Sequence, residues 1–395
     1  MFSKKSIKGV DVAGKRVLVR VDFNVPISDG AVTDDTRVRA ALPTIRYLVD
    51  HGARVILASH LGRPNGEPDP EFSLKPVRRT LQRLLGRNVF FAPETVGQET
   101  TDSVDRLIDG EVLMLENLRF NPGEKENDPG FAKELASLAD IYVNDAFGAA
   151  HRAHASTEGV THFLPAYAGL LLAREVETLT DMLSDPARPF VAILGGSKVS
   201  DKFGVIDRLI DCVDVLLIGG GMAFTFLVAQ GIEVGKSIVE ADWVEPAKAM
   251  LAKAEAKGCD IVLPFDFVVA DAFAEDAETR IVGREEIPSA MMGLDIGPAS
   301  EESFKHEIAR AKTVFWNGPM GVFEMKPFEN GTRAVAEAIS RNNRAVSVVG
   351  GGDSVAALKK FNLEDRVTFV STGGGASMKL LEGTTLPGVE ALLDK

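Results

Sequence analysis

Short apolar runs alternate with segments of helical spacing along almost the whole chain. In the first half the runs are Arg16–Val21, Arg54–Ala58, Glu111–Leu115 and Ile141–Val143. In the second half they are Phe190–Leu194, Val215–Ile218, Thr313–Phe315, Ala345–Val349 and Val367–Val370. This alternation predicts βα units and a mostly parallel sheet flanked by helices in each half. Between the halves, Tyr167, Leu170, Leu171, Val176, Leu179, Met182 and Leu183 fall at helical spacing inside a run bracketed by Pro165 and Pro186. About 20 helical residues span about 30 Å, which suits a semi-rigid hinge between two α/β halves; the alternative is an ordinary surface helix of one domain. A length of 395 residues agrees with two domains, because a single core rarely grows beyond roughly 250–300 residues.

The residues just past each strand carry the candidate chemistry. The first-half strands end in Asp22-Phe23-Asn24-Val25-Pro26, His60-Leu61-Gly62-Arg63-Pro64, Glu116-Asn117-Leu118-Arg119-Phe120 and Asn144-Asp145-Ala146-Phe147-Gly148, with His151 and Arg152 a few residues beyond the last. Open α/β sheets bind ligands just past the carboxyl ends of their strands. Arg37, Arg63, Arg119 and Arg152 would add guanidinium groups there, the shape best suited to bidentate phosphate or carboxylate contacts. Singly, each arginine reads as a surface residue; together they point to an anion site. His60 beside Arg63 reads as a ligand-orienting hydrogen bonder rather than a general base. His151 and His154 lack a further ligand at familiar spacing, which argues against zinc.

The second-half strands run into glycines: Gly195-Gly196-Ser197-Lys198-Val199-Ser200-Asp201-Lys202, Gly219-Gly220-Gly221, Gly350-Gly351-Gly352-Asp353-Ser354 and Gly373-Gly374-Gly375. A strand that opens through glycine into a helix aims free N–H groups and a positive dipole end at an anion. Lys198 and Lys202 are four apart, so on a helix they would share a face; the alternative is a plain βα turn with two solvated lysines. Four such junctions in one domain point to a phosphate-bearing ligand of nucleotide size. Glu324, in the junction Trp316–Glu324, is placed to accept from ribose hydroxyls, and Asp353 to ligate Mg²⁺ beside phosphates. Two motifs are set aside. Gly231–Ser237 has three residues between its glycines where a P-loop needs four. Gly350-x-Gly352 lacks the acidic residue at the end of the next strand that a dinucleotide fold uses.

Composition narrows the class. The chain is 45% hydrophobic and 26% charged, the make-up of an ordinary globular protein. A net charge of −13 argues against a general nucleic-acid binder, since phosphate neutralisation needs a basic footprint. Cys212 and Cys259 in apolar surroundings read as reduced core thiols of a cytoplasmic protein. Neither a signal peptide nor a membrane span is expected.

The segments Arg20–Pro26, His60–Pro64, Glu116–Phe120, Asn144–Ser156, Gly195–Lys202, Leu217–Phe226, Trp316–Glu324, Gly350–Ser354 and Ser371–Ser377 closely resemble the phosphoglycerate kinase family, in order and over nearly the whole chain. The resemblance implies two Rossmann-like domains facing a hinged cleft. Residues 1–170, completed by the tail 382–395, would bind 3-phosphoglycerate or 1,3-bisphosphoglycerate. Residues 171–185 would form the interdomain helix, and 186–381 would bind Mg-ADP or Mg-ATP. It implies a triose site of Asp22, Phe23, Asn24, Arg37, His60, Leu61, Gly62, Arg63, Arg119 and Arg152. It implies nucleotide contacts from Lys202, Gly293, Glu324, Gly351, Gly352, Asp353 and Ser354, with Asp353 holding Mg²⁺. Arg37, Lys198 and Lys202 would surround the transferred phosphoryl group, in a monomer. Departures from the family pattern are Ser354 for a frequent Thr, Ser197 for a common Ala, and Met378-Lys379 for the usual Leu-Glu. Rival readings are a kinase for another small carboxylate, a nucleotide-binding sensor without catalysis and, least supported, a dehydrogenase.

Overall fold

Residues 2–395 are described by the structure, a computed structural model. The chain divides into two compact units, one comprising residues 2–178 with Thr384–Lys395 and the other Leu179–Gly383. The helix Leu170–Ser184 carries the chain from the first to the second.

The first unit is built on a six-stranded parallel sheet. Its order is Val89–Phe91, Val112–Met114, Arg54–Ala58, Arg16–Arg20, Ile141–Asn144 and Ala166–Ala168. The central pair is in register from Arg16 opposite Arg54 to Arg20 opposite Ala58. The central strands are nearly continuous apolar runs because helices cover both faces of such a sheet. Val17, Val19, Val55 and Leu57 point into one core with Val38, Ile45 and Leu48 of the helix Thr36–Asp50 and with Val77 and Leu81 of the helix Lys75–Leu85. Each fully buried Val or Leu stabilises the unit by roughly 1.5–3 kcal/mol. The final segment returns to this unit: Lys5 N–H donates to Leu393 O at 2.7 Å, Leu393 N–H to Ala166 O at 3.0 Å, and Asn144 Nδ2 to Gly388 O at 2.9 Å.

The second unit has its own six-stranded parallel sheet, ordered Asp260–Val262, Val215–Ile218, Phe190–Leu194, Thr313–Asn317, Val346–Gly350 and Phe369–Val370. All five residues of Phe190–Leu194 and of Thr313–Asn317 are buried, as central strands require. A three-stranded antiparallel sheet, Thr279–Gly283, Asp266–Ala270 and Met292–Ile296, belongs to the same unit. The apolar alternation predicts neither this sheet nor the strands Val89–Phe91, Ala166–Ala168 and Asp260–Val262. Tyr167 fits the helical spacing of the connecting segment, but pairing of Tyr142 with Ala166 and of Asn144 with Ala168 draws it into the sheet instead. The helix begins only at Leu170. Among the described residues, no helix is long and apolar enough to cross a membrane.

Candidate active site

In the first unit the polar strand ends gather as expected. Asp22 and Asn24 lie just past the central strand; Arg37, on the first turn of the helix Thr36–Asp50, reaches both. Its Nη1 lies 3.1 Å from Asp22 Oδ2 and donates to Asn24 O at 3.1 Å. Asn24 Oδ1 accepts from Gly62 N–H at 2.9 Å. Gly62 has φ +62°, and a Cβ there would run into the Phe72 ring, so this turn needs glycine. Arg119 Nη1 donates to Gly62 O at 2.6 Å. The turn carrying Arg119 is held by Asn117, whose Oδ1 accepts from Arg119 N–H at 3.0 Å and from Leu61 N–H at 3.2 Å.

The electrostatics result from this crowding. His60 is buried, and its pKa lies well below the usual histidine value, chiefly because burial disfavours the imidazolium and then because Arg20, Arg119, Arg37 and Arg152 surround it. Burial, then Arg152 and Arg20, lower Arg119 to about 10, still charged at neutral pH. His154 falls to about 4, first through burial and then through Arg20, Arg119 and Arg152, which leaves it neutral. Cationic side chains thus press on one another around buried imidazoles, an arrangement that an incoming anion relieves.

Not every expected residue sits there in the same way. Phe23 and Leu61 are core side chains, 0% and 4% exposed, so only their backbone lies at the strand ends. Arg63 is exposed, and the arginines that act most on His60 are Arg20, Arg119, Arg37 and Arg152. Arg152 is exposed, with its Nε 3.2 Å from His151 Nε2. One central residue is not among those the sequence singles out: Arg20, only 1% exposed. Its signal is a charged residue closing an otherwise apolar central strand.

In the second unit the expected helical pairing of Lys198 with Lys202 does not occur. The helix starts at Phe203, after Lys202, because Gly195–Lys202 forms an open loop with Gly196 at φ +103°. Lys202 turns inward, its Nζ donating to Asn317 O at 2.7 Å and Asn317 Oδ1 at 2.6 Å. Burial lowers its pKa to about 8, with Asp353 and Asp201 working the other way. Lys198 is exposed and acts on Glu240, which binds Ser200 N–H at 3.0 Å. Gly318 has φ +99°, and a Cβ there would stand 2.5 Å from Lys202 Nζ. The same Cβ would overlap the backbone carbonyl of Gly195, so the turn requires glycine.

The four glycine junctions are present: Gly221, Gly351 and Gly374 each immediately precede a helix, and Gly195–Gly196 lies directly after the central strand. Residues from three of them, Gly196, Gly220, Gly221 and Asp353, line a cavity of about 560 Å³. One wall is apolar (Phe224, Ile238, Phe267, Phe273), and the polar side includes Glu324 and Asp353. Gly293 lies on the cavity wall, its N–H bonded to Ser237 Oγ at 2.9 Å. Ser354 is buried, its Oγ accepting from Gly318 N–H at 2.6 Å. Gly351 and Gly352 open the helix Gly352–Lys360, with Asp353 exposed in its first turn. An apolar wall with glycine turns and a carboxylate is the arrangement a flat base with a phosphate tail needs. Among the described residues, no three His, Cys, Asp or Glu side chains converge to hold a metal alone. Asp353, an exposed carboxylate on the cavity's polar side, fits Mg²⁺, which usually takes one or two carboxylates and completes its shell with phosphate and water.

Known proteins share this plan. The phosphoglycerate kinase family model matches residues 7–384. The phosphoglycerate kinase of Moorella thermoacetica is 57% identical over 394 residues, and that of Chloroflexus aurantiacus 55% over 398, each alignment covering all of both chains. Among solved structures, phosphoglycerate kinase from Coxiella burnetii superposes with a TM-score of 0.89 at 43% identity, and that from Pyrococcus horikoshii with 0.87 at 32%. Both cover 98% of each chain. Arginines clustered around a buried histidine on one sheet, a glycine-lined cavity on the other, and matches of this extent lead to one conclusion: the chain belongs to the phosphoglycerate kinase family.

Proposed function

We propose that the residues assembled on the two sheets carry out the family's reaction. As a phosphoglycerate kinase family member the chain is a phosphotransferase with a carboxyl group as acceptor, moving a phosphoryl group between 1,3-bisphosphoglycerate and ADP to give 3-phosphoglycerate and ATP, a step of glycolysis. Asp22, Asn24, Arg37, His60, Arg63, Arg119 and Arg152, with the backbone of Phe23, Leu61 and Gly62, are the proposed triose site. Lys202, Gly293, Glu324 and Gly351 to Ser354 are the proposed nucleotide contacts. The observation that carries the reading is the set of four guanidinium groups acting on a buried, uncharged His60.

The chemistry asks little proton transfer of these residues. In the ATP-consuming direction the nucleophile is a carboxylate, whose solution pKa near ~4 leaves it ionised at neutral pH. Its oxygen forms the new bond to the γ-phosphorus as the bond to the β–γ bridging oxygen breaks, and ADP leaves with those electrons. No general base is needed, and a neutral His60 is no impediment. The remaining demands are in-line positioning and neutralisation of spreading negative charge. Arg37, Lys198 and Lys202 are the proposed charges for that task, and Asp353 the proposed Mg²⁺ ligand. Bound Mg²⁺ would neutralise charge on the nucleotide phosphates. Because the acyl phosphate hydrolyses easily, excluding water after both ligands bind gives the connecting helix Leu170–Ser184 a proposed role in hinge bending.

The enzyme is proposed to act as a cytoplasmic monomer on small molecules and not on nucleic acid; the free thiols of Cys212 and Cys259 support the compartment, and the net charge of −13 supports the exclusion of nucleic acid. A substrate panel tests acceptor identity. With Mg-ATP, 3-phosphoglycerate is expected to turn over well ahead of unphosphorylated carboxylates, and a better rate with another carboxylate would move the assignment to the rival kinase.

A further inference from the structure

A buried chain of hydrogen bonds runs behind the first-unit site and is not explained by ligand contact alone. Arg20 lies 1% exposed at the end of the central strand. Its Nε donates to Ser156 Oγ at 2.7 Å, its Nη1 to Val21 O at 2.5 Å, and its Nη2 lies 3.0 Å from His60 Nδ1. Ser156 in turn donates through Oγ to Glu124 Oε1 at 2.6 Å and through its N–H to Oε2 at 3.0 Å. Glu124 is fully buried, 4.0 Å from Arg20 Nη2. Tyr142 Oη donates to Ser156 O at 2.6 Å and fixes the serine from behind.

A guanidinium has five donors and no acceptor. The contact between Arg20 Nη2 and His60 Nδ1 therefore has one possible polarity: Nδ1 accepts. In a neutral imidazole the proton then sits on Nε2. We propose that Arg20, oriented by Ser156 and Glu124, is a positioning residue that locks His60 in the Nε2–H tautomer, so that His60 serves the triose site as a fixed hydrogen-bond donor. This inference rests on the reading of His60 as a triose contact. It gives the arginine behind the histidine a role distinct from those beside it. Arg37, Arg119 and Arg152 help keep the ring from becoming a cation, but Arg20 is the one that hydrogen-bonds its Nδ1. An Nε2–H donor recognises a carboxylate or phosphate oxygen and rejects a donor such as an amide NH₂.

Ring-¹⁵N-histidine spectra of the full-length protein, without substrate, read the tautomer directly; His60→Gln identifies the signal. The expected result is neutral Nε2–H from about pH 5.5 to 8 in the native protein and in Arg20→Lys, which keeps a donor. In Arg20→Met the tautomer signal is expected to shift, and KM for 3-phosphoglycerate to rise by on the order of 10-fold, with KM for Mg-ATP little changed. If Arg20→Met fails to fold because Glu124 loses its countercharge, the double change Arg20→Met/Glu124→Gln removes both charges and gives the same readout. An Nδ1–H tautomer in the native protein, or an unchanged tautomer and KM in the Met variants, would overturn the proposal. Absence of turnover of 3-phosphoglycerate by the native protein would instead overturn the functional reading, and leaves the spectroscopic test intact.

Discussion

Lys202 and Asn317 meet twice: one ammonium bonds both the backbone and the side-chain oxygen of the residue that ends the strand Thr313–Asn317. Because burial holds Lys202 near pKa 8, the ligand-free protein begins to lose this proton just above neutrality. A phosphate brought beside it favours the charged form and raises the pKa. Binding of Mg-ADP at about pH 8.5 is therefore expected to take up a fraction of a proton. Calorimetry in buffers of different ionisation enthalpy measures this; proton release on binding, or none, would contradict the placement of Lys202 beside the phosphates.

Gly318 makes that meeting possible. Gly318→Ala forces a Cβ into a left-handed conformation and against both the Gly195 carbonyl and Lys202 Nζ, a strain of at least about 1–3 kcal/mol. The urea midpoint is expected to fall, and kcat to fall with it because the lysine must shift. A loss of stability with unchanged kcat would separate the glycine from the lysine's function.

Asp145 supplies a pH test in the other unit. It is fully buried and binds Leu171 N–H at 2.9 Å and Leu172 N–H at 3.3 Å, at the start of the helix Leu170–Ser184. Burial raises its carboxyl to about 7 against those hydrogen bonds and that of Thr44. Between the ordinary carboxyl value near ~4 and about 7 the folded state holds a proton that the unfolded chain does not. Its contribution to stability is thus present at low pH and lost as pH rises through that window. Asp145→Asn keeps an acceptor without the charge. Relative to the native protein it is expected to gain stability between about pH 5 and pH 7, on the order of 1 kcal/mol for each pH unit in the window. A constant difference between the two proteins across that range would refute the raised pKa.

Asp353, in the first turn of the helix Gly352–Lys360, is the proposed magnesium ligand. Asp353→Ala is expected to weaken Mg-ADP binding by at least the order of 10-fold and to leave Mg²⁺-free ADP binding little changed. Equal losses with and without Mg²⁺ would assign the carboxylate to some other task.

Much of the fold is legible in the sequence because parallel strands buried on both faces announce themselves as apolar runs. Arg16–Arg20 and Phe190–Leu194 are found almost to the residue, and Asp22 and Asn24 past the first and Gly195 and Gly196 past the second mark the strand ends where the proposed site lies. The antiparallel sheet is silent for the opposite reason. Its edge strand Thr279–Gly283 has exposed residues, Arg280 among them, so no apolar pattern betrays it. The spacing of Lys198 and Lys202 misleads because it presumes a helix that starts only at Phe203. Arg20 is visible as a charge in a core strand, but its partners Ser156 and Glu124 lie about a hundred residues or more away in the chain and are brought to it only by folding.

Arg37 and Lys202 are proposed to neutralise the phosphoryl group in transit. A coupled assay of 3-phosphoglycerate with Mg-ATP, run on the native protein, Arg37→Ala and Lys202→Ala, measures it directly. Each variant is expected to fold normally and to lose on the order of 10²-fold or more in kcat, as removal of a charge partner of the transition state should. Folded variants that both turn over at close to the native rate would contradict it.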